Sequence, residues 1–354
     1  MGLLFIPDIS GFTRFVNQTE IEHSSLIIEE LLEILINANQ IGLEVSEIEG
    51  DAILFYKFGP RPELEEVYRQ VKNMFCSFHK GVASYALRRY CYCKACNSAV
   101  DLTLKVITHY GEFTGYNVKQ FNKLIGKDII VAHQLLKNDI DLHEYWLVTN
   151  NLLTNKEPQG LATWMNWNTS AKQTESGSVP FHYTLLSELK AEISPDPIPD
   201  PALSKKTKVL SFSRVYETDL ITLFHATGDF NFRARWIDGV KKVEEVGHFL
   251  PRIGMRCRSI LESGEVIIYS SSYYYSDDRI EFCENEEGSG VATYYTLERI
   301  EKMRTKLTID YYIEKNPIKN FAFNLLQKRK IQDRYTKSLI NLEPLVKEIQ
   351  LPVS

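Results

Sequence analysis

The chain has 354 residues, 44% of them hydrophobic and 25% charged, a globular balance that excludes intrinsic disorder as its main state. Its 41 Lys and Arg against 46 Asp and Glu give a net charge of -5, which argues against a duplex-DNA binder, whose affinity rests on clustered positive charge. No apolar run approaches the ~18 residues of a spanning helix, and the opening Met1-Gly2-Leu3-Leu4 has no signal-peptide character. A cytoplasmic protein without a transmembrane anchor is expected.

The length suggests more than one domain. Pro195, Pro197, Pro199 and Pro201 alternate through residues 190–205, a pattern that suits an extended linker and neither helix nor sheet interior. The expected domains are 1–189 and 206–350. The first opens with a strand at Leu3–Ile6 and a turn through Asp8-Ile9-Ser10-Gly11-Phe12. Ile27, Leu31, Ile34 and Leu35 predict a helix over 24–39, capped by Ser24 or Ser25. Strands at 43–49 and 52–56 form a hairpin about Gly50-Asp51. A long helix (62–88), a strand (102–108, continuing to Phe113), a helix (128–137), a strand (145–148) and strands within 160–188 follow. Interleaved helices and strands indicate an α+β class with a mostly antiparallel sheet.

The second domain reads as a strand at 209–215, two short helical pieces up to Val246, strands at 255–262, 265–275, 279–285, 290–299 and 303–313, and a long last helix. Asn316-Pro317 caps that helix, and Phe321, Leu325, Tyr335, Leu339 and Leu342 are expected on its buried side. Lys328, Arg329, Lys330, Arg334 and Lys337 give it a basic side, which reads as a solvated face, with a lipid or RNA contact as the alternative.

Asp8 ends the first strand and Asp51 tips the next hairpin. Two carboxylates so placed repel unless a cation lies between them or one keeps its proton, and oxygen ligands of this type suit Mg2+. The alternative is that each Asp merely shapes its turn. Phe5-Ile6-Pro7-Asp8-Ile9-Ser10-Gly11-Phe12-Thr13 resembles the opening motif of the class III nucleotide (adenylate/guanylate) cyclases, and Gly50-Asp51-Ala52-Ile53-Leu54 resembles their second acidic hairpin. His109-Tyr110-Gly111 is similar to that family's His-x-Gly strand, and Gly126 to Gln134 lies where it has an Asn- and Arg-bearing helix. The resemblance covers roughly residues 1–188. It implies a ferredoxin-like, nucleotide-cyclase-like fold, metal ions on Asp8 and Asp51, nucleotide contacts at Ser10, Gly11 and Phe12, and base contacts at Glu47 and Lys123. It also implies a homo- or heterodimer.

The sequence departs from that pattern at the chemistry. Ile130 stands where the family has its transition-state Asn and Gln134 where it has its phosphate-binding Arg. Losing one such stabiliser costs about 3–4 kcal/mol of barrier. A pseudoenzyme that senses a nucleotide or another small ligand is therefore expected, with no catalytic residue of its own. The alternatives are an active purine-nucleotide cyclase completed by a partner chain, and a carrier of apolar molecules in the second domain. Cys91, Cys93 and Cys96, with Cys76, His79 or His109 as a fourth ligand, form a Cys-rich insertion that reads as a Zn2+ site, as reactive thiols or as plain structure. The element order after residue 206, with Trp236 to Val246 and Ile253 to Cys257, resembles the helix-grip fold of the START-like, polyketide-cyclase-like (SRPBCC) superfamily. Its implied apolar cavity has Trp236, Tyr269, Tyr273, Tyr294 and Tyr311 as candidate lining, or else these tyrosines stack and fill the sheet. The whole chain also resembles a bacterial family of uncharacterised proteins that joins a cyclase-like opening to a Cys-rich insertion.

Overall fold

Leu3 to Ile6 belong to a strand, β1 (Gly2–Ser10), that is buried at every residue. Such a strand must lie inside its sheet with both faces covered. The computed structural model describes the chain except for residues 20, 89–93, 120, 155–156, 160, 176, 195–199, 247–252, 263 and 350–354. Pro195, Pro197 and Pro199 of the expected linker thus lie outside the described residues. Two units emerge, one formed by Met1–Leu87 and Tyr92–Asp196, the other built on Pro197–Ser354.

In the first unit β1 is followed by α1 (Phe12–Gln18), α2 (Ile21–Asn37), β2 (Glu44–Glu49), β3 (Ala52–Phe58), α3 (Leu64–Arg88), α4 (Lys94–Ser98) and β4 (Thr103–Gly111). Then come β5 (Thr114–Val118), β6 (Phe121–Ile125), α5 (Lys127–Leu136), β7 (Tyr145–Thr149), α6 (Asn150–Leu153), β8 (Asn168–Thr174) and β9 (Gly177–Leu185). The main sheet has the order β2-β3-β1-β4-β7-β9-β8, antiparallel except for the parallel pair β4–β7. Its first four strands form the split βαβ arrangement of ferredoxin-like folds. Leu4, Ile6, Ala52, Leu54 and Ile107 on one sheet face pack with Ile129, Val131, Ala132 and Leu135 of α5. The β5–β6 hairpin, α1 and α6 have no counterpart in the sequence reading. The start of α2 also differs from expectation. It begins at Ile21, so Ser24 lies in its first turn and bonds the Ile21 carbonyl at 3.2 Å.

The second unit runs β10 (Lys206–Tyr216), α7 (Leu220–Gly228), α8 (Arg233–Trp236), β11 (Val240–Glu245), β12 (Arg256–Leu261), β13 (Gly264–Ser276), β14 (Arg279–Glu286), β15 (Ala292–Glu301) and β16 (Arg304–Glu314). It closes with α9 (Pro317–Ala322), a π-helical turn at Phe323–Gln327 and α10 (Lys328–Glu348). The sheet order β10-β16-β15-β14-β13-β12-β11 places the first strand beside the last, and every neighbouring pair is antiparallel. Tyr335, Leu339 and Leu342 of α10 share one core with Phe224, Trp236, Tyr295, Leu307 and Ile309. Asp219 caps α7, accepting from the Ile221 and Thr222 N–H groups at 3.0 Å each.

Two expectations are corrected here. Residues 240–245, expected as helix, form the edge strand β11, because Val240, Val243 and their neighbours pair with Leu261 to Cys257 of β12. Phe321 and Leu325, expected on the buried side of the last helix, are both 72% exposed, whereas Phe323 is buried and stacks on Tyr311 at 6.0 Å. The π-helical turn is the cause. It advances less per residue than an α-helix, so across five residues it rotates the preceding segment by roughly a quarter turn relative to α10. Phe323→Ala is expected to cost about 3–5 kcal/mol in denaturant unfolding of the full chain, and Phe321→Ala about 0.5 kcal/mol or less. Equal costs would contradict the rotated register.

Candidate functional site

Side chains alternate along a strand, so Asp8 shares the α5-facing side of β1 with Leu4 and Ile6. It lies opposite Ala52 of β3 on one side and Lys105 of β4 on the other. Lys105 Nζ stands 3.5 Å from Asp8 Oδ1 and donates to the Leu136 carbonyl at the end of α5 at 3.4 Å. Asp51 sits at the hairpin tip, where its carbonyl accepts the Ile9 N–H at 3.0 Å. Burial pushes the Asp8 carboxyl up to about 6 against the pull of Lys105, and the nearby Asp51 charge adds to the rise. Asp51 is also raised, again mainly by burial, with its own backbone N–H and Lys105 opposing. Lys105 thus sets one positive charge of the chain itself against the two aspartates, and both carboxyls remain raised in its presence.

Further out on the same sheet face lies a second acidic group. A β-bulge between Val45 and Glu47 shifts the register of β2, so that Glu47 opposes Leu54 and Glu49 opposes Ala52. Leu54 and Ala52 belong to the α5-facing core, and strict pairing without the extra residue would send both glutamates to the other face. The bulge instead aims them at His133 of α5. His133 Nε2 is 3.7 Å from Glu47 Oε1, and Nδ1 is 3.5 Å from Glu49 Oε2. One ligand atom from each of the three residues falls within 4.8 Å of the others. Lys123 of β6 donates to Glu47 Oε2, and this contact raises the lysine pKa. The structure therefore brings together the two expected base contacts, Glu47 and Lys123, as an ion pair. The sequence reading missed Glu49 and His133 as members of this group. The available signal was the spacing of Glu47 and Glu49 by two on one strand.

His109 is fully committed. Its Nδ1 pairs with Thr149 Oγ1 at 2.8 Å and its Nε2 with Asp128 Oδ1 at 3.0 Å, while Asp128 Oδ2 accepts the Glu112 N–H at 2.6 Å. Burial raises Asp128, but the bonds from His109 and Glu112 outweigh it and leave the carboxyl below its ordinary range. Gly111 is required at its position because a Cβ there would stand 2.3 Å from Asp128 Cγ. The His-x-Gly motif is thereby explained as packing about Asp128. Ile130 is 53% exposed on α5, and Gln134 Oε1 is buried with no hydrogen-bond partner among the described residues. Ser10 is buried two residues beyond Asp8 on β1, Gly11 takes the left-handed conformation that starts α1, and the Phe12 ring lies close to Gly50.

Cys91 and Cys93 lie outside the described residues, and Cys96 is buried on α4. Among the described residues, the converging group of metal-ligand side chains contains no cysteine. Burial lowers His79 to about 3, as its ring packs on Phe75 at 4.3 Å, and raises the Cys76 thiol. In the second unit Trp236 is wholly buried and its ring lies 6.4 Å from Tyr295. Tyr311 stacks on Phe323 and meets Tyr335 edge-on, and Tyr273 leans on Phe224. Tyr269 and Tyr294 are half-buried.

A family model described as a protein of unknown function (DUF2652) matches residues 28–145. The Mycobacterium tuberculosis protein called Uncharacterized protein Rv2561/Rv2562 is 28% identical over 130 residues, 34% of this chain and 56% of that protein. The chain therefore spans about half the length of the curated relative it matches. Among solved structures, the guanylate cyclase domain of RhGC from Catenaria anguillulae in complex with GTP is 12% identical, with a TM-score of 0.36 over 52% of this chain and 94% of that one. The catalytic core of a rhodopsin-guanylyl cyclase with converted specificity, in complex with ATPalphaS, is 14% identical with a TM-score of 0.36 and the same coverage, 52% and 94%. Hypothetical protein jhp0584 of Helicobacter pylori is 10% identical, with a TM-score of 0.34 over 38% of this chain and 86% of that one. None of these likenesses assigns a role to a residue of this chain.

The Asp8 carboxyl holds its proton more tightly folded, at about 6, than unfolded, at 3.8. Its contribution therefore favours the folded state below that window and falls away as pH rises through about 6. In thermal or denaturant unfolding between about pH 4 and pH 7, Asp8→Asn is expected to gain on the wild type by at most about 3 kcal/mol. A difference that does not change with pH would contradict the shift.

Proposed function

We propose that the first unit is a non-catalytic domain that binds a divalent cation together with the anionic ligand the cation carries, on a degenerate nucleotide-cyclase-like scaffold. The reading rests on the convergence of Glu47, Glu49 and His133. One imidazole nitrogen and two carboxylate oxygens suit a borderline ion such as Zn2+ or Mn2+ better than Mg2+, which prefers oxygen alone. Lys123 now neutralises Glu47 from an exposed position, so a cation that displaces it pays little desolvation of the ammonium. Three protein ligands leave coordination positions for water or a phosphate oxygen of a nucleotide.

The same geometry argues against phosphoryl transfer by this chain alone. Lys105 already holds the Asp8 carboxylate and offsets part of the charge on Asp51, Ile130 offers no hydrogen bond, and Gln134 brings no charge to a developing phosphoryl centre. For the second unit we infer a helix-grip, START-like fold. Its support is the strand order, in which β10 closes against β16, and the long helix lying in the core of the same sheet.

Calorimetric titration of the full chain with Mn2+ and Zn2+ tests the cation site. Glu47→Gln and His133→Ala are expected to weaken binding at least about tenfold, since the first removes the charge of one ligand and the second removes a ligand outright. Lys123→Ala is expected to tighten it by removing a competing charge, and Asp51→Asn to leave it unchanged. Added GTP or ATP should then bind to the loaded protein without forming cyclic product. Equal affinity across the variants would overturn the site, and cyclic product would overturn the non-catalytic reading.

A further inference from the structure

The π-helical turn leaves four large apolar side chains in the open: Ile318 is 80% exposed, Phe321 72%, Leu325 72% and Leu326 75%. They fall within nine residues, on the side of the segment away from buried Phe323. From residue 315 to residue 332 the chain carries Lys315, Lys319, Lys328, Arg329 and Lys330 and no acidic residue, although its net charge is -5. Lys319 also pairs with Glu314 at the edge of the patch. Exposed singly, such apolar residues need no explanation, but a contiguous group beside a basic cluster marks a surface that something covers.

We propose that α9 and the π-helical turn form a peripheral docking element for an anionic lipid bilayer. The four apolar side chains enter the headgroup and acyl boundary, and the flanking lysines and Arg329 remain at the level of the lipid phosphates. The charge chooses the occupant. A second copy seated face to face would oppose this basic cluster to itself across a two-fold axis, whereas an anionic leaflet is complementary to it. The element lies on the membrane and does not cross it, since no helix among the described residues is long and apolar enough to span one.

The test is flotation of the full chain with phosphatidylcholine vesicles and with vesicles that also contain phosphatidylglycerol. The wild type is expected to float with the anionic vesicles alone, and less in high salt. Phe321→Ser with Leu325→Ser should reduce partitioning by about tenfold or more. Lys328→Glu with Arg329→Glu and Lys330→Glu should abolish it. These positions make little contact with the core, so circular dichroism and melting should match the wild type. A wild type that stays with the unbound fraction in both lipids, or a serine variant that floats as well as the wild type, would overturn the proposal. So would self-association in gel filtration that the serine variant loses while no vesicle binding is seen, because that result gives the patch to a second copy.

Discussion

A carboxylate buried in the middle of a sheet must be neutralised, by a proton or by a neighbouring cation, and Asp8 uses both. Every residue of β1 is buried, so water solvates little of its charge. Lys105 lies one strand away in direct register, and its ammonium is held by Asp8 on one side and the end of α5 on the other. That arrangement ties β1, β4 and α5 together. It also sets the chemistry of the face, since Asp8, Ala52 and Glu49 form one row across β1, β3 and β2. Two strand spacings, about 9–10 Å, separate the ends of that row.

The two acidic groups on this face differ in how firmly their cation is held. Lys105 is mostly buried against Asp8, and removing it would leave a carboxylate without a partner in a low-dielectric setting. Lys123 is nearly half exposed at Glu47, where water can replace it. On the proposed reading, a divalent ion would meet a closed site at Asp8 and an open one at Glu47, Glu49 and His133. The departures at Ile130 and Gln134 point the same way, since both lie on α5 and neither supplies a group that would favour charge at the inner site.

Much of the first unit was legible because its signals are local. The apolar opening strand, the Gly50-Asp51 hairpin and the periodic helices follow from alternation and spacing within a few residues. Asp8 and Asp51 were each legible from the strand end and the turn they occupy, whereas what brings them near each other is the pairing of β1 with β3 across some forty residues. The bulge at Val45 and Glu47 was not, because an extra residue on an edge strand leaves no mark in the pattern yet reverses which face receives both glutamates. His133 was read as part of a motif and not as a ligand, since its partners come from a strand more than eighty residues earlier and meet it only in the folded chain. The last helix gave a similar result. Its apolar spacing fits an α-helix throughout, and only the π-helical turn decides that Phe323 goes inward and Phe321 outward.

The most direct measurement is paramagnetic broadening by Mn2+ in NMR spectra of the full chain, with the His133 imidazole and the Asp8 and Asp51 carboxyl groups as assigned reporters. The His133 ring signals are expected to broaden at substoichiometric Mn2+ before the Asp8 and Asp51 signals change. Broadening that begins at Asp8 and Asp51 and spares His133 would contradict it, and would return the inner acidic pair to the role of the metal site.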